Sequence, residues 1–382
     1  MDRETFGKCQ VTQNYLDKGL SLRDLFGLAV RASEFQPILI DLMQKIVERK
    51  NIVSLLKSYE QDRFSEPSSL PQREIIRLSE IFYKVVPNSY RDVELSPVAP
   101  LGTNSIMTNV SQRTVLSTVR NVEVLADPTT LLALECARRK RLEVKGASKD
   151  SFLIDLCSSV RCIRGQLFDK DSGFVPHFQL FALASGSLGE TAEKWTGKII
   201  EHLSVFLDFL KMSGVMENGY LANDVKVQIS NVKIMETIIR LKNLDRKEVG
   251  THSQDNNFNA FSKYGIELPS STDNPALVDE MILRDYEVKN HVKELIKISE
   301  RVETLKDKYP GVRFNYDLAR IAGIGYYNGP CFKITAFNRR GEMYPLADGG
   351  YSNWLAKLLS NRKVGFFSSG FGLELFGKLF KA

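Results

Sequence analysis

The amino-acid sequence predicts an α+β protein in which a mixed, mainly antiparallel sheet is flanked by helices and preceded by an N-terminal helical extension. Three observations carry that class. QREIIRLSEIFYKVV, beginning at Gln72, spaces its apolar residues for one long amphipathic helix and leads through PNS into a segment halted by Pro97 and Pro100. SSVRCIRGQLFDKDSGFVPHFQLFALAS reads as two antiparallel strands joined by the polar turn DKDSG, with no crossover helix between them. From residue 312 the chain returns to strand-like runs, FKITAF and MYPLADGG, and closes on GFFSSGFGLELFGKLF, a strand followed by a helix.

In chain order, residues 1–62 read as helices. SLRDLFGLAVRA opens with Ser21 and Asp24 in a capping-box-like pair, and FQPILIDLMQKIVERKNIVSLLKSYEQ has helical apolar spacing. RFSEPSSLPQ, residues 63–72, gathers two prolines and three serines and marks a linker. The expected division is therefore a helical extension over 1–65 and a core over 72–382. YRDVELSPVAPLGT and VLSTVRNVEVLADP each read as a strand, and TTLLALECARRKR as a helix capped by Asp127 or Thr129 with proline in its first turn. Residues 190–310 read as a largely helical insertion around a short strand, DVKVQIS, with a polar loop over about 244–275. The hairpin, residues 160–183, is expected at the centre of the sheet.

Composition is that of an ordinary globular chain: 382 residues, 43% apolar and 26% charged. No run approaches the roughly 18 apolar residues of a membrane span. The start, MDRETFGKCQ, has no apolar stretch behind a basic head, so no secretory signal is expected and a cytoplasmic location follows by default. Cys9, Cys136, Cys157, Cys162 and Cys331 form no C-x-x-C and read as reduced structural thiols. His177, His202, His252 and His291 are scattered, so neither a metal site nor a cofactor is expected. The net charge of +6 mildly favours anionic partners. The densest basic run is ARRKRLEVKGASK, carrying Arg138, Arg139, Lys140, Arg141, Lys145 and Lys149; it reads as a solvated helix end or as an RNA contact without interleaved aromatic rings.

The order of these elements resembles the class II aminoacyl-tRNA synthetase core, in the version of histidyl-tRNA synthetase and of the regulatory subunit of ATP phosphoribosyltransferase. The resemblance covers roughly residues 72–382. It implies that the helix and strand from Gln72 to Pro97 build a dimer interface, with Ile75, Ile76, Leu78, Ile81, Phe82 and Val85 as the apolar face. Folding onto the chain's own core would use the same stripe, and the alternative is a monomer whose helical extension covers that surface. It also implies an amino-acid pocket lined by Tyr326 and Tyr327, with Gln179 from the hairpin and Thr130 and Glu374 from other walls. Read from the residues alone, the two tyrosines serve equally as half-buried sheet packing, and Glu374 as a satisfied structural carboxylate. Gly102, Thr103, Asn104 and Ser105 read either as donors to an anion or as a plain turn. His177, beside Phe178 in the hairpin, reads as a cleft residue or a packing one.

Four cations that the resemblance implies are replaced. The hairpin arginine aligns with Asp169, the arginine of the histidine-specific segment with Ala322, that of the G-G-R-Y-D turn with Tyr351, and that of the third motif with Leu375. Gly325 stands where that segment has an aspartate, and the chain continues only ten residues past Gly372, so no anticodon-binding domain is expected. Arginines at such positions neutralise phosphate charge that develops during adenylation. The leading expectation is thus a paralogue without aminoacylation activity, acting as a small-molecule-sensing regulatory or binding subunit in a homodimer or with a protein partner. The alternatives are an RNA-binding protein using Arg138, Arg139 and Arg141, or an enzyme with altered nucleotide chemistry in which Asp169 or Glu374 binds a divalent ion or transfers protons.

Overall fold

The computed structural model describes residues 32–382, apart from 109, 144–152, 166–175, 189–191, 216–218, 254 and 256–257. Asp169, the turn DKDSG, Cys9, Lys145, Lys149 and the Ser21–Asp24 pair lie outside the described residues. Two helices lead, α1 (Ala32–Glu48) and α2 (Ile52–Gln61). Asn51 caps α2: its side chain accepts from the Ser54 amide while Ser54 bonds back to the Asn51 amide. No residue of α2 is buried, and Ile52 is 83% exposed.

Next come α3 (Gln72–Val85), β1 (Tyr90–Asp92), β2 (Val98–Pro100), α4 (Thr103–Thr108), β3 (Val122–Val124) and α5 (Pro128–Glu143). The hairpin strands are β4 (Leu153–Ile163) and β5 (His177–Leu188), followed by α6 (Ala192–Gly214), β6 (Asn223–Asn231) and α7 (Val232–Leu241). Two short helices, α8 (Arg246–Thr251) and α9 (Ala260–Lys263), occupy what the sequence marks only as a polar loop; Asp245 and Asn259 cap them by accepting from backbone amides. The chain continues through β7 (Ser271–Thr272), α10 (Glu280–Asp285), α11 (Lys289–Lys308), β8 (Arg313–Asp317), β9 (Pro330–Phe337), β10 (Met343–Ser352), α12 (Trp354–Leu358), β11 (Val364–Phe371) and α13 (Leu373–Leu379).

Among the described residues, nine strands form one sheet in the order β1-β4-β5-β11-β10-β9-β6-β8-β7. Only the β1/β4 and β6/β8 pairs are parallel, which makes the sheet mixed and mainly antiparallel. The hairpin pairs from Leu153 opposite Ser187 to Ile163 opposite His177. It stands second and third from one edge, and β10 takes the middle of the sheet, which corrects the expectation of a central hairpin. Local pattern marks a hairpin but not its neighbours, and here β11 adds to its inner side while β1 is the edge. The helical segment 190–310 also supplies β6, paired on both sides. The two long strand readings between residues 90 and 128 shrink to three short ones: β1 ends before Pro97, and β2 pairs with β3 in a separate ribbon.

The apolar stripe of α3 packs into the chain's own core. Leu78, Ile81 and Phe82 are buried, and Phe82 lies between the stacked rings of Phe181 and Phe209, with centroids at 4.3 and 3.7 Å. Ile76 (59% exposed) and Tyr83 remain outside. Ile81→Asp therefore breaks this subunit's core and is no probe of an interface.

Behind the sheet, α6 presents His202, fully buried, with Nδ1 at 2.7 Å from the Ser369 hydroxyl. Burial, reinforced by the nearby Lys198 ammonium, holds its pKa well below the usual 6.5. Asp155, Glu201 and Tyr90 complete this polar cluster: Lys198 bridges the two carboxylates at 2.8 Å each, and Tyr90 donates to Glu201. The unfolded chain binds a proton at His202 that the folded chain resists. That stability is present above about pH 6.5 and is lost as pH falls below it, by at most about 1.4 kcal/mol per pH unit. Half-buried His291, also depressed chiefly by burial, acts in the same direction. Urea unfolding at pH 7.5 and 5.5 should show the loss, and His202→Gln should flatten it; an unchanged difference would remove His202 from the account.

Candidate ligand-binding cleft

A cleft of about 900 Å³ opens over the middle of the sheet, between the hairpin, the start of α5, the turn before β9 and helix α13. Its floor is built around Tyr327, and two glycines make room for that ring. Gly323 has φ +92°, and a Cβ there would stand 2.6 Å from the ring; a Cβ on Gly350 would meet the other edge at the same distance. So held, Tyr327 is buried and donates its hydroxyl proton to Asp348. Tyr326 meets it edge to face at 4.8 Å and reaches the other wall, where its hydroxyl donates to Asp127 Oδ2 at 2.7 Å and lies 2.7 Å from the Thr129 hydroxyl. Burial, then the facing Asp127 or Asp348, pushes both phenols well above their usual pKa, so both remain donors at neutral pH.

Arg320, 7% exposed, lies in the same cleft. Nη2 donates to Asp348 Oδ2 at 2.6 Å and Nε to the Ala322 carbonyl at 2.8 Å, while Nη1 has no hydrogen-bond partner. Burial works against its charge, but Asp348 outweighs burial and raises the pKa. Arg164, at the end of β4, donates Nε to the Ala126 carbonyl at 3.2 Å and lies over the Phe178 ring. Arg164 is thus a hairpin cation that faces the cleft, five residues before the position to which motif spacing points.

Glu374 lines the cleft with both oxygens engaged. It accepts from Arg161 at 2.8 Å, Lys378 at 2.9 Å, the Gln179 amide at 3.0 Å and the Ser68 hydroxyl. Burial favours its neutral form, but these donors override it and hold the pKa below the usual carboxylate range. The Gln179 side chain donates to Ser159 at 3.1 Å. Thr130 is fully buried, with its hydroxyl on the Asp127 carbonyl; its neighbour Thr129 is the one at the cleft wall. His177 is buried beside the cleft, its Nδ1 accepting from Arg161 at 2.8 Å and its Nε2 donating to the Glu66 carbonyl at 2.6 Å.

The donors of the Gly102–Ser105 turn hold an anion that the chain itself supplies. The Gly102 and Asn104 amides donate to the two oxygens of buried Glu123 at 2.8 Å each, and the Asn104 and Gln112 side chains add bonds of 2.7 and 2.8 Å. Burial opposes the charge, yet these four donors keep the Glu123 pKa low. Arg138 and Arg139 both pair with Glu135, at 2.8 and 2.7 Å, and Arg141 donates to the Leu358 carbonyl; all three lie away from the cleft.

Ala322 and Leu375 are in the cleft wall, so two of the replaced cation positions do face it. Tyr351 packs against Trp195 of α6, with ring centroids 5.1 Å apart, on the other side of the sheet. Sequence reasoning misses Arg164, Arg320 and Asp348 as site residues. Arg320 is legible as the start of the segment that names the tyrosines, but nothing local pairs it with an aspartate 28 residues on. Among the described residues, no group of three or more His, Cys, Asp or Glu is arranged to hold a metal ion, and no helix is long and apolar enough to cross a membrane.

Sheet order, hairpin and cleft together define a class II aminoacyl-tRNA synthetase-like core, and the chain has this fold. Three solved structures are similar to it. One is an ATP phosphoribosyltransferase regulatory subunit/histidyl-tRNA synthetase from Bacillus halodurans, 16% identical, with 83% of this chain and 82% of that one covered and a TM-score of 0.56. A histidine–tRNA ligase subunit from Alicyclobacillus acidocaldarius is 15% identical over 82% and 94%, with a TM-score of 0.61. A histidyl-tRNA synthetase from a Nostoc species is 16% identical over 82% and 74%, with a TM-score of 0.58. No family sequence model and no curated protein sequence matches the chain.

Proposed function

We propose that this protein binds a small polar ligand in the cleft and works as a regulatory or binding subunit without forming an aminoacyl adenylate. The observation that carries this reading is the pair Ala322 and Leu375 in the cleft wall, where the resemblance implies arginines. What remains is a receptor for a zwitterion. Asp127 and Asp348 offer acceptors to an ammonium group, and the free Nη1 of Arg320 offers a donor to a carboxylate or phosphate oxygen. Calorimetric titration with the proteinogenic amino acids, and separately with nucleotides, tests it. At least one titrant should bind, and Tyr326→Phe, which removes the bond to Asp127, should weaken that binding about 5- to 10-fold, the worth of one hydrogen bond in a closed site. No binding by either series, or an affinity indifferent to Tyr326→Phe, would count against the cleft.

Self-association belongs to the same reading. With Leu78, Ile81 and Phe82 buried internally, the exposed Ile76 and Tyr83 of α3 and the edge strand β1 are the surface left for it. Sedimentation should give twice 43.2 kDa, and Ile76→Asp should return the protein to that mass without unfolding it; a monomer from the outset removes the homodimer.

A further inference from the structure

The fold joins two basic segments that are more than 200 residues apart in the chain, and the second contains no acidic residue. Residues 136–142, at the end of α5, carry Arg138, Arg139, Lys140 and Arg141. Residues 351–363, through α12 and the loop after it, carry Lys357, Arg362 and Lys363. Arg141 Nη2 donates to the Leu358 carbonyl at 3.1 Å and fixes the end of α5 against the end of α12. Arg138, Arg141, Lys357, Arg362 and Lys363 are exposed, and Arg139 and Lys140 partly so. These seven cations exceed the net charge of the whole chain, +6, so the rest of the molecule is close to neutral. Two acids border the patch: Glu135, which holds Arg138 and Arg139 side by side, and Glu143, the last residue of α5.

We infer that this patch is a docking surface for the phosphate backbone of a nucleic-acid duplex. A cluster of cations at two helix ends suits a row of phosphates, whose neutralisation releases counterions. Single-stranded nucleic acid wants aromatic platforms, and here Trp354 is buried and Tyr351 lies against Trp195. A lipid surface wants an apolar wedge beside the charges, and Leu142 is the one large apolar side chain exposed in these two segments. The inference is independent of what the cleft binds, because the patch and the cleft share no residue.

The test is fluorescence anisotropy with a 20-base-pair RNA duplex and, separately, a DNA duplex of the same sequence, over about 50 to 200 mM salt. Binding should weaken linearly on a log–log plot. Reversing Lys357, Arg362 and Lys363 to Glu should lower affinity at least 10-fold and reduce the slope by about three, since each phosphate left without its cation removes about 0.9. Reversing Lys211, Lys247 and Lys293, exposed lysines elsewhere, should change the slope far less. Binding of one duplex or of both supports the inference and identifies the nucleic acid. It is overturned if neither duplex binds at 50 mM salt, if the two triple variants behave alike, or if anionic phosphatidylserine vesicles bind while duplexes do not.

Discussion

Amino-acid-dependent exchange of pyrophosphate into ATP is expected to stay at background with every proteinogenic amino acid. Exchange requires a five-coordinate phosphorus, with the carboxylate bond forming as the pyrophosphate bond breaks, to be crossed in both directions many times per second, and the charge on its oxygens has to meet fixed cations. Ala322 and Leu375 present a methyl and an isobutyl group to the cleft in their place. Removing one preorganised donor of this kind typically costs about 10²- to 10³-fold in rate, and two independent losses about the square of that. The cations that do face the cleft have their charge balanced or their donors engaged by the chain itself: Arg320 by Asp348, with only Nη1 left over, Arg164 by the Ala126 carbonyl, Lys378 by Glu374. The measurement is labelled pyrophosphate incorporated into ATP by the purified chain, with a histidyl-tRNA synthetase as positive control. Exchange within 100-fold of that control would sink the non-adenylating reading and favour the enzyme with altered nucleotide chemistry. Ala322→Arg with Leu375→Arg is the converse arm, since any recovered exchange would place the deficit at these two positions.

Phe82→Ala is expected to destabilise the fold by about 3–5 kcal/mol, a large share of the 5–15 kcal/mol that holds a typical domain together. Phe82 is fully buried, stacked between Phe181 of the hairpin and Phe209 of α6, and it meets Phe206 and Phe371 edge-on at 6.0 and 5.1 Å. Truncation removes the ring's transfer free energy and leaves a cavity that four aromatic neighbours, each held by its own backbone, cannot fill by small shifts. Phe82→Leu, which keeps much of the volume, should cost markedly less. Urea midpoints for the three proteins decide it. A loss below about 1 kcal/mol for Phe82→Ala would mean that α3 is not anchored to the sheet in solution.

The element types are legible because they rest on local periodicity. The 3.6-residue stripe of QREIIRLSEIFYKVV is α3, the alternation on either side of DKDSG is β4 and β5, and FKITAF and MYPLADGG are β9 and β10. The order of those elements, with the replaced positions at Ala322 and Leu375, suffices to identify the synthetase-like core and the tyrosine cleft. Motif spacing is less secure where the chain changes length. It points to Thr130 where Thr129 lines the wall; for the hairpin cation it points to Asp169, outside the described residues, while Arg164 lines the cleft unannounced. Period marks which face of an element is apolar, but not what it meets, and so the α3 stripe reads as an interface although it lies against Phe181 and Phe209.

By itself, then, the sequence determined the type of the long elements, the fold class, and the two positions, Ala322 and Leu375, where the cleft wall lacks a cation. Tertiary structure alone decided which charges meet. The free energy of a charge depends on neighbours within a few ångströms, and those neighbours are remote in the chain. Arg320 and Asp348, Glu374 and Ser68, and the two basic segments joined by Arg141 and Leu358 are separated by 28, 306 and 217 residues at their contacts. Glu123 shows the same dependence over a shorter span, since 19 and 21 residues separate it from the amides that stabilise its charge in the interior.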